Sequence, residues 1–207
     1  MAVSERKTGG YEDNKLNLYN SEVDPDTKNG FLDEACELIE LYTGVIVAIF
    51  LVFDELNIIK NSSVLINMRD AMFHYRQMYE KNNIIGLIEQ QYAMKEHLNR
   101  GVKDGIIHLL NSLLERVEFY FSCNEQDKYF LLSKTDKKRY REILHKIKNY
   151  MLDIRIDSMN IERIFDQSKV KERISEAKLY ISDLVKFLED NDIDVYKKDI
   201  FRINTGS

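Results

Sequence analysis

The sequence has very little of the residues that punctuate or cross-link a chain. Its 207 residues include one proline, eight glycines, two cysteines and no tryptophan. Sheets and tight turns need glycine and proline at their corners, so this scarcity predicts long helices. The two cysteines, Cys36 and Cys123, have no metal-ligand spacing. We expect them to be buried free thiols in a reducing compartment.

The chain also lacks an excess of positive charge and a long apolar run. Its formal net charge of −5 excludes a protein whose whole surface binds nucleic acid nonspecifically. The longest unbroken apolar run, Val45–Phe53, is far shorter than the ~20 residues that a membrane helix needs. Residues 1–30 contain no apolar segment typical of a signal peptide. We therefore predict a cytoplasmic protein without a membrane partner.

Composition and periodicity divide the chain into three parts. Residues 1–30 are polar and predict a flexible N-terminal arm. Residues 31–190 carry apolar positions at steps of three and four, which predicts a helical bundle domain. Residues 191–207 form a mixed C-terminal tail. The predicted fold class is all-α, an antiparallel bundle of about five helices with short connections.

Within the domain, the most apolar segment, residues 31–60, predicts a buried central helix. A buried β-strand over residues 44–53 is the alternative, because β-branched residues are dense there. In the helical segment 84–122, Gly101 and Gly105 are the positions where a bend or break is expected. Thr135 is the expected N-cap of a helix over residues 134–155, and residues 160–189 predict a last amphipathic helix.

The stretch from Asn61 to Lys81 is the most informative. It opens with short polar residues that can cap a helix, and no glycine or proline interrupts it. Its apolar positions follow a helical stripe: Val64, Leu65, Met68, Met72, Tyr75 and Tyr79. Set into this helix are Arg69, Asp70 and His74.

Two interpretations of these polar residues remain open. In one, Arg69 and His74 lie at the edge of the apolar stripe, with the arginine head in water. In the other they form a phosphoryl-transfer site, where histidine moves protons and arginine holds a phosphate. Asp70 is four residues before His74, so its carboxylate is placed to orient the imidazole. Arg69 is about 140° from His74 around the helix, and its long side chain can reach the same edge.

An arginine followed at this spacing by a histidine, with polar Asp70 directly after the arginine, resembles the motif of HEPN-domain ribonucleases. The resemblance implies an all-helical domain that forms a homodimer, with the motifs of the two chains facing each other across a cleft. It also implies metal-independent RNA cleavage through the 2′-hydroxyl, leaving a cyclic phosphate. No cofactor is expected. Such enzymes are typically toxins or defence effectors, so an antitoxin or regulatory protein is the implied partner.

The resemblance also implies roles for individual residues. His74 transfers a proton, Arg69 holds the scissile phosphate and Asp70 orients His74. Tyr75 and Arg76 line the RNA path. In the dimer, we expect each His74 to lie nearer to the other His74 than to any other histidine.

A second spacing of this kind runs from Arg139 to His145, but Tyr140 follows its arginine and the surrounding run is rich in lysine. Between Lys134 and Lys148 there are seven Lys or Arg and two acids. Such a run is typically a solvated helix face. It also fits a patch that attracts an RNA backbone, and the residues predicted to bind RNA are Lys137, Lys138, Arg139 and Arg141.

No metal or further catalytic motif stands out elsewhere. His97 and His108 have no metal-ligand spacing, and we expect each to be a hydrogen-bonded histidine. The alternative function, from a different class, is a non-catalytic helical module that binds a partner or acts as a scaffold. Arg69 and His74 would then be interface or core-edge residues.

Overall fold

The computed structural model describes residues 22–55, 58, 61–123, 128–157 and 167–193. Within these residues the chain forms six helices and no strand, which confirms the all-α prediction. Glu22 and Asn83 make one isolated bridge. We number the helices α1 (Pro25–Glu55), α2 (Ser62–Glu80), α3 (Ile84–Cys123), α4 (Lys128–Leu131), α5 (Lys134–Asp157) and α6 (Gln167–Asp190).

The 40-residue helix α3 is shared by two groups of helices. At about 1.5 Å per residue it is about 60 Å long. The part of α3 that reaches from about Gln90 to His108 packs against α1 and α2, and α5 and α6 also pack against α3. The long hydrophobic core follows α3 from Leu87 to Phe121.

Consecutive long helices run antiparallel, as predicted. The N-terminal part of α2 lies against Gly105 of α3, whereas His74, further along α2, bonds Gln90. At the other end, an ion pair joins Arg139, near the start of α5, to Asp190 at the end of α6. Antiparallel packing of this kind follows from the short connections between neighbouring helices.

Helix α1 is amphipathic, so the prediction of a buried central helix for residues 31–60 is wrong. One face of α1 is buried, and Phe53 on it is fully so. On the opposite face Val47 and Leu51 are 49% and 62% exposed. The β-strand alternative over residues 44–53 is also wrong, because the whole segment is helical. The central position belongs to α3.

Gly101 and Gly105 do not bend or break α3. Both are buried within an uninterrupted helix, at the place where α1 and α2 cross it. A Cβ added at Gly105 would lie 3.2 Å from Cδ1 of Ile49 on α1 and 3.6 Å from Cγ2 of Val64 on α2. The absence of side chains therefore lets three helix backbones approach closely, a packing role that the sequence pattern alone did not distinguish from a helix break.

The helix starts differ from two predicted boundaries. Helix α1 begins at Pro25, where the missing N–H of proline is tolerated, so residues 25–30 belong to the bundle rather than to an arm. Asp24 caps it by accepting from the backbone N–H and the hydroxyl of Thr27, at 2.9 and 2.6 Å. The cap of α5 is Ser133, whose hydroxyl accepts from the N–H of Asp136, and not the predicted Thr135.

The end of the bundle also lies beyond the predicted boundary at residue 190. The N–H of Ile193 donates to the carbonyl of Leu188 at 2.8 Å, and Asp192 adopts a φ of 53°. This is the usual way to close a helix with a left-handed residue, and it buries the Ile193 side chain against the core. Residues 1–21 and 194–207, which hold most of the predicted arm and tail, lie outside the described residues.

One described helix is long and apolar enough to cross a membrane, judged by length and composition alone. It covers Pro25–Asp54, and 28% of its most apolar stretch is buried inside the protein. A core helix of a soluble protein passes the same test. The cytoplasmic location stays a prediction.

We predict that alanine substitutions at two glycines affect stability differently. Gly44→Ala should raise the free energy of unfolding by about 1 kcal/mol, because alanine is the better helix former and a Cβ at Gly44 meets nothing within 4 Å. Gly105→Ala should gain less, because Ile49 has to move aside. Urea unfolding of both variants measures the difference. An equal gain at both positions would show that the crossing at Gly105 is not tight.

Candidate functional site

Helix α2 presents its polar motif along the seam with α3. Asn61 caps the helix by accepting from the N–H of Ser63 at 2.9 Å, as the opening of the stretch predicted. Val64, Ala71 and Met78 are fully buried, and they fix the face of α2 that meets the core. The side chains of the motif therefore lie at the edges of this seam or on its outer surface.

Arg69 lies on the outer surface, with 73% of its side chain exposed. Its Nε and one terminal nitrogen donate to the same carboxylate oxygen of Asp70, at 2.9 and 2.7 Å. Asp70 stands one turn before His74 on the same side of α2. The ion pair therefore draws the guanidinium round the helix toward the side that carries His74.

The predicted contact between Asp70 and His74 is replaced by two others. Asp70 forms its ion pair with Arg69 and not with His74. Nδ1 of His74 is instead hydrogen-bonded to the side-chain oxygen of Gln90 on α3, at 2.8 Å. The rings of Phe73 and His74 also pack edge to face, with 5.6 Å between their centroids. Gln90, which the sequence analysis did not identify, orients His74.

A second histidine lies beside the first. The rings of His74 and His97 are stacked, with centroids 5.3 Å apart and planes 19° from parallel. His97 comes from α3 and belongs to the same chain as His74. For the two His74 rings of a dimer to be nearer to each other than to any other histidine, as predicted, their centroids would have to be less than 5.3 Å apart.

Asn67 fixes the orientation of His97. Its amide nitrogen donates to the carbonyl oxygen of Ser63 at 2.9 Å, so its amide oxygen is the atom turned toward Nδ1 of His97, at 3.2 Å. An amide oxygen only accepts, so Nδ1 of His97 carries the proton and Nε2 has the free lone pair. The hydrogen-bonded histidine predicted at this position is confirmed.

The polar chain continues along the seam to Asp104. The hydroxyl of Ser63 donates to Oδ2 of Asp104 at 2.5 Å, and the Asn67 amide nitrogen lies 3.4 Å from the same oxygen. Each group in the line Asp104, Ser63, Asn67 and His97 is thus held by its neighbour. Buried polar groups need such partners, and a satisfied network holds its side chains in one arrangement.

The surroundings of His97 favour its neutral form. Burial is the main cause that lowers its pKa below the usual 6.5, and the charge of His74 adds to it. Arg100 acts in the same direction, whereas Asp70 and Glu96 raise the pKa. The net effect is downward, so His97 is set to accept a proton near neutral pH.

Tyr75 and Arg76 point away from this group. The hydroxyl of Tyr75 is hydrogen-bonded to that of Tyr79 at 3.0 Å, and this bond together with burial raises the pKa of Tyr75. Arg76 is 81% exposed and lies 4.0 Å from Glu80. At about 100° per residue, Arg76 is on the side of α2 away from His74. The structure does not bring these two residues to the histidine pair.

All four residues predicted to bind RNA have contact partners within the fold. Arg139 forms an ion pair of 2.7 Å with Asp190 and lies over the ring of Phe187, 5.8 Å from its centroid. Nε of Arg141 donates to the hydroxyl of Tyr129 at 3.1 Å. Arg139 therefore joins α5 to α6, and the second arginine–histidine spacing has a structural use.

The other two, Lys137 and Lys138, lie along a surface groove on α5. Nζ of Lys137 donates to the carbonyl of Phe130 at 2.9 Å, and Lys138 lies 3.8 Å from Glu142. The groove has a volume of about 580 Å³ and is lined by Lys134, Lys137, Lys138, Arg141, Glu142 and His145.

This basic groove is remote from the histidine pair. Its helix contacts α3 near Phe121, whose ring lies 5.2 Å from that of Tyr140. His97 and Phe121 are on the same helix, and at about 1.5 Å per residue they are about 36 Å apart. The structure therefore separates the predicted RNA-binding residues from Arg69 and His74.

Metal-ligating side chains do not cluster in the part of the chain that the structure describes. No three His, Cys, Asp or Glu residues there are placed to hold a metal ion together. The described site consists of an arginine, two histidines and the amides that orient them. These groups can bind an anion and move protons.

We predict that His97 makes stability depend on pH. Because its pKa is lowered in the folded chain only, the unfolded chain binds the proton first as the pH falls below about 6.5. Stability is therefore fully present above that pH and is lost as the pH falls toward the lowered pKa. His97→Gln should reduce the loss measured by urea unfolding between about pH 7.5 and 5.5. The control is His145→Gln on the exposed face of α5, and an unchanged pH dependence in His97→Gln would contradict the prediction.

Comparisons of the chain with protein-family models, with curated proteins and with solved structures found no match. The resemblance to HEPN-domain ribonucleases stays a prediction. What the protein does has to be inferred from the side chains of the site and their contacts.

Proposed function

We propose that this chain is a HEPN-like, metal-independent endoribonuclease that acts as a homodimer, with Arg69 and His74 in its active site. One observation carries the proposal more than any other. Asp70 holds the exposed guanidinium of Arg69 on the side of α2 that carries His74. A phosphate-binding group and a proton-transfer group are thus presented together on one accessible surface.

The chemistry of the two groups suits phosphodiester cleavage. A guanidinium offers five N–H donors, and Asp70 uses only part of the Arg69 fork, so donors remain for phosphate oxygens. Positive charge held there stabilises the charge that grows on the phosphate in the transition state. His74 transfers a proton near neutral pH, with its ring held by Gln90.

The surface around the motif supports a dimer. Several large apolar side chains of α2 are about half exposed beside Arg69 and His74: Leu65, Ile66, Met72, Phe73 and Tyr79. Exposed apolar groups that are this close together are typical of an interaction surface. In a twofold dimer the same patch meets itself, which brings two copies of the motif together.

The basic groove on α5 has a separate role in this proposal. Lys137, Lys138 and Arg141 attract the RNA backbone at a distance from the cleaved bond. Arg139 contributes less, because its charge is shared with Asp190. The toxin or defence role, with a restraining partner, follows from the resemblance alone.

The second candidate function is a non-catalytic module that binds a protein partner. It is favoured by the same exposed apolar side chains, since Phe73 is 57% exposed next to His74. In that case Arg69 and His74 are interface residues and the protein cleaves no RNA. Cleavage assays with the variants below separate the two functions.

We predict that Arg69→Ala and His74→Ala each lower RNA cleavage about a hundredfold or more, the usual size for loss of an acid–base group. Both side chains lie outside the buried face of α2, so circular dichroism should show an intact helical fold. Arg155→Ala, an exposed arginine on α5, is the matched control.

The same assay separates mechanisms by substrate and metal. RNA should be cut and DNA spared, because the 2′-hydroxyl is the nucleophile. Cleavage should continue in the presence of a chelator. Wild-type rates in either variant would count against the site, and restoration by magnesium after chelation would indicate a metal-dependent mechanism.

We also predict that mixing Arg69→Ala and His74→Ala chains restores part of the activity. A mixed dimer has one intact arginine and one intact histidine on opposite chains, which is enough for one site if the cleft is shared. Sedimentation measures the dimer and a cleavage assay measures the recovery. A strictly monomeric protein that still cleaves RNA through these residues would exclude the shared cleft.

A further inference from the structure

The histidine beside His74 has features that packing alone does not require. A stacked pair of rings would hold α2 against α3 in any tautomer. His97, however, is fixed in one tautomer by a chain of hydrogen bonds that begins at Asp104 and passes through Ser63 and Asn67. The result is a neutral imidazole with its Nδ1 committed and its Nε2 unused by the residues that the structure describes.

We infer that His97 is the general base of the active site, taking the proton of the RNA 2′-hydroxyl while His74 protonates the leaving 5′-oxygen. This inference rests on the proposed ribonuclease function. It adds a residue from α3 that the arginine–histidine motif does not contain. It also places both proton-transfer groups in one chain.

The separation of the two rings fits one phosphate group. Their centroids are 5.3 Å apart and their planes nearly parallel, so the nitrogens of one ring lie within a few ångströms of those of the other. A catalytic group has to be within about 2.6–3.2 Å of the atom that it serves. Two nitrogens at this separation can therefore reach two oxygens on one phosphorus atom. Both imidazoles are half-buried, which leaves each of them an open side.

The proton position of His97 suits it to act as the base. Nδ1 of His97 donates to Asn67, so Nε2 presents the lone pair that a base needs. Burial lowers the pKa of His97 and keeps this lone pair free near neutral pH. The charged or titratable groups that act on His97 are His74 and Asp70 from α2 and Glu96 and Arg100 from α3. Asp104 is joined to His97 only through Asn67.

The reaction balances with these two groups. The 2′-hydroxyl proton moves to Nε2 of His97 as the 2′-oxygen forms a bond to phosphorus. The bond from phosphorus to the 5′-oxygen breaks, and that oxygen takes a proton from His74. The products are a 2′,3′-cyclic phosphate and a 5′-hydroxyl, and exchange with water restores both histidines.

The test compares wild-type protein with His97→Gln and His108→Gln. The second variant removes a histidine from the same helix, outside the site. We expect His97→Gln to lower kcat about a hundredfold with little change in KM, and His108→Gln to leave kcat within a few fold. The wild-type kcat should fall at acid pH as His97 becomes protonated, and this acid limb should be absent in His97→Gln.

The tautomer provides a readout that depends neither on cleavage nor on the folding of a variant. In the wild-type protein, ¹H–¹⁵N correlation of the histidine rings at about pH 7.5 should show His97 protonated at Nδ1 and its pKa below about 6.5. Protonation at Nε2 instead would overturn the inference.

The outcomes of the assay separate the two proposals. Loss of activity in His74→Ala with full activity and an unchanged acid limb in His97→Gln would overturn the role of His97 and leave the proposed ribonuclease standing. Absence of cleavage by the wild-type protein would overturn both.

Discussion

The close crossing of three helices at Gly101 and Gly105 is the constraint on which the site depends. The tightest contact is at Gly105, where the absence of a Cβ lets Ile49 of α1 and Val64 of α2 pack directly on the backbone of α3. A Cβ at Gly101 would lie 3.5 Å from Cβ of Asn67. The same closeness lets the short Asn67 side chain reach His97 and lets Ser63 reach Asp104. Packing and polar geometry are therefore fixed at one place.

Burial holds the hydrogen-bonded side chains along this seam in one arrangement. A buried donor or acceptor without a partner costs about 1–3 kcal/mol, so each amide and hydroxyl has one favoured arrangement. Asn67, which is 9% exposed, cannot turn its amide without losing the Ser63 carbonyl. The tautomer of His97 is thus determined by groups on α2, the helix that precedes its own. Arg69, held only at the surface by Asp70, has no such restriction and remains free to change partners.

Sequence reasoning was strongest for features within one helix. The cap at Asn61, the extent of α2 and the helical class all follow from local pattern. It was weaker wherever the contact partner of a side chain lies on another helix or outside the predicted spacing. The spacing of Asp70 and His74 indicated a contact, but Gln90 and Arg69 offered better partners to the two side chains. Arg139 looked available for RNA because Asp190 is 51 residues away in the chain. The apolar stripe predicted for α2 was also partly wrong, because Leu65, Met72 and Tyr79 on it are exposed. The buried face consists of Val64, Asn67, Ala71 and Met78.

The uninterrupted course of α3 has a consequence for how the two ends of the molecule work together. Because α3 belongs to both groups and is uninterrupted from Ile84 to Cys123, the described residues place no helix break along α3 between the histidine pair and the end that contacts α5. An α-helix is stiff along its axis, so α3 keeps these two surfaces at a constant separation. Under the proposed function, an RNA strand that contacts both surfaces must be long enough to reach from one to the other, and shorter RNA strands contact one surface at a time.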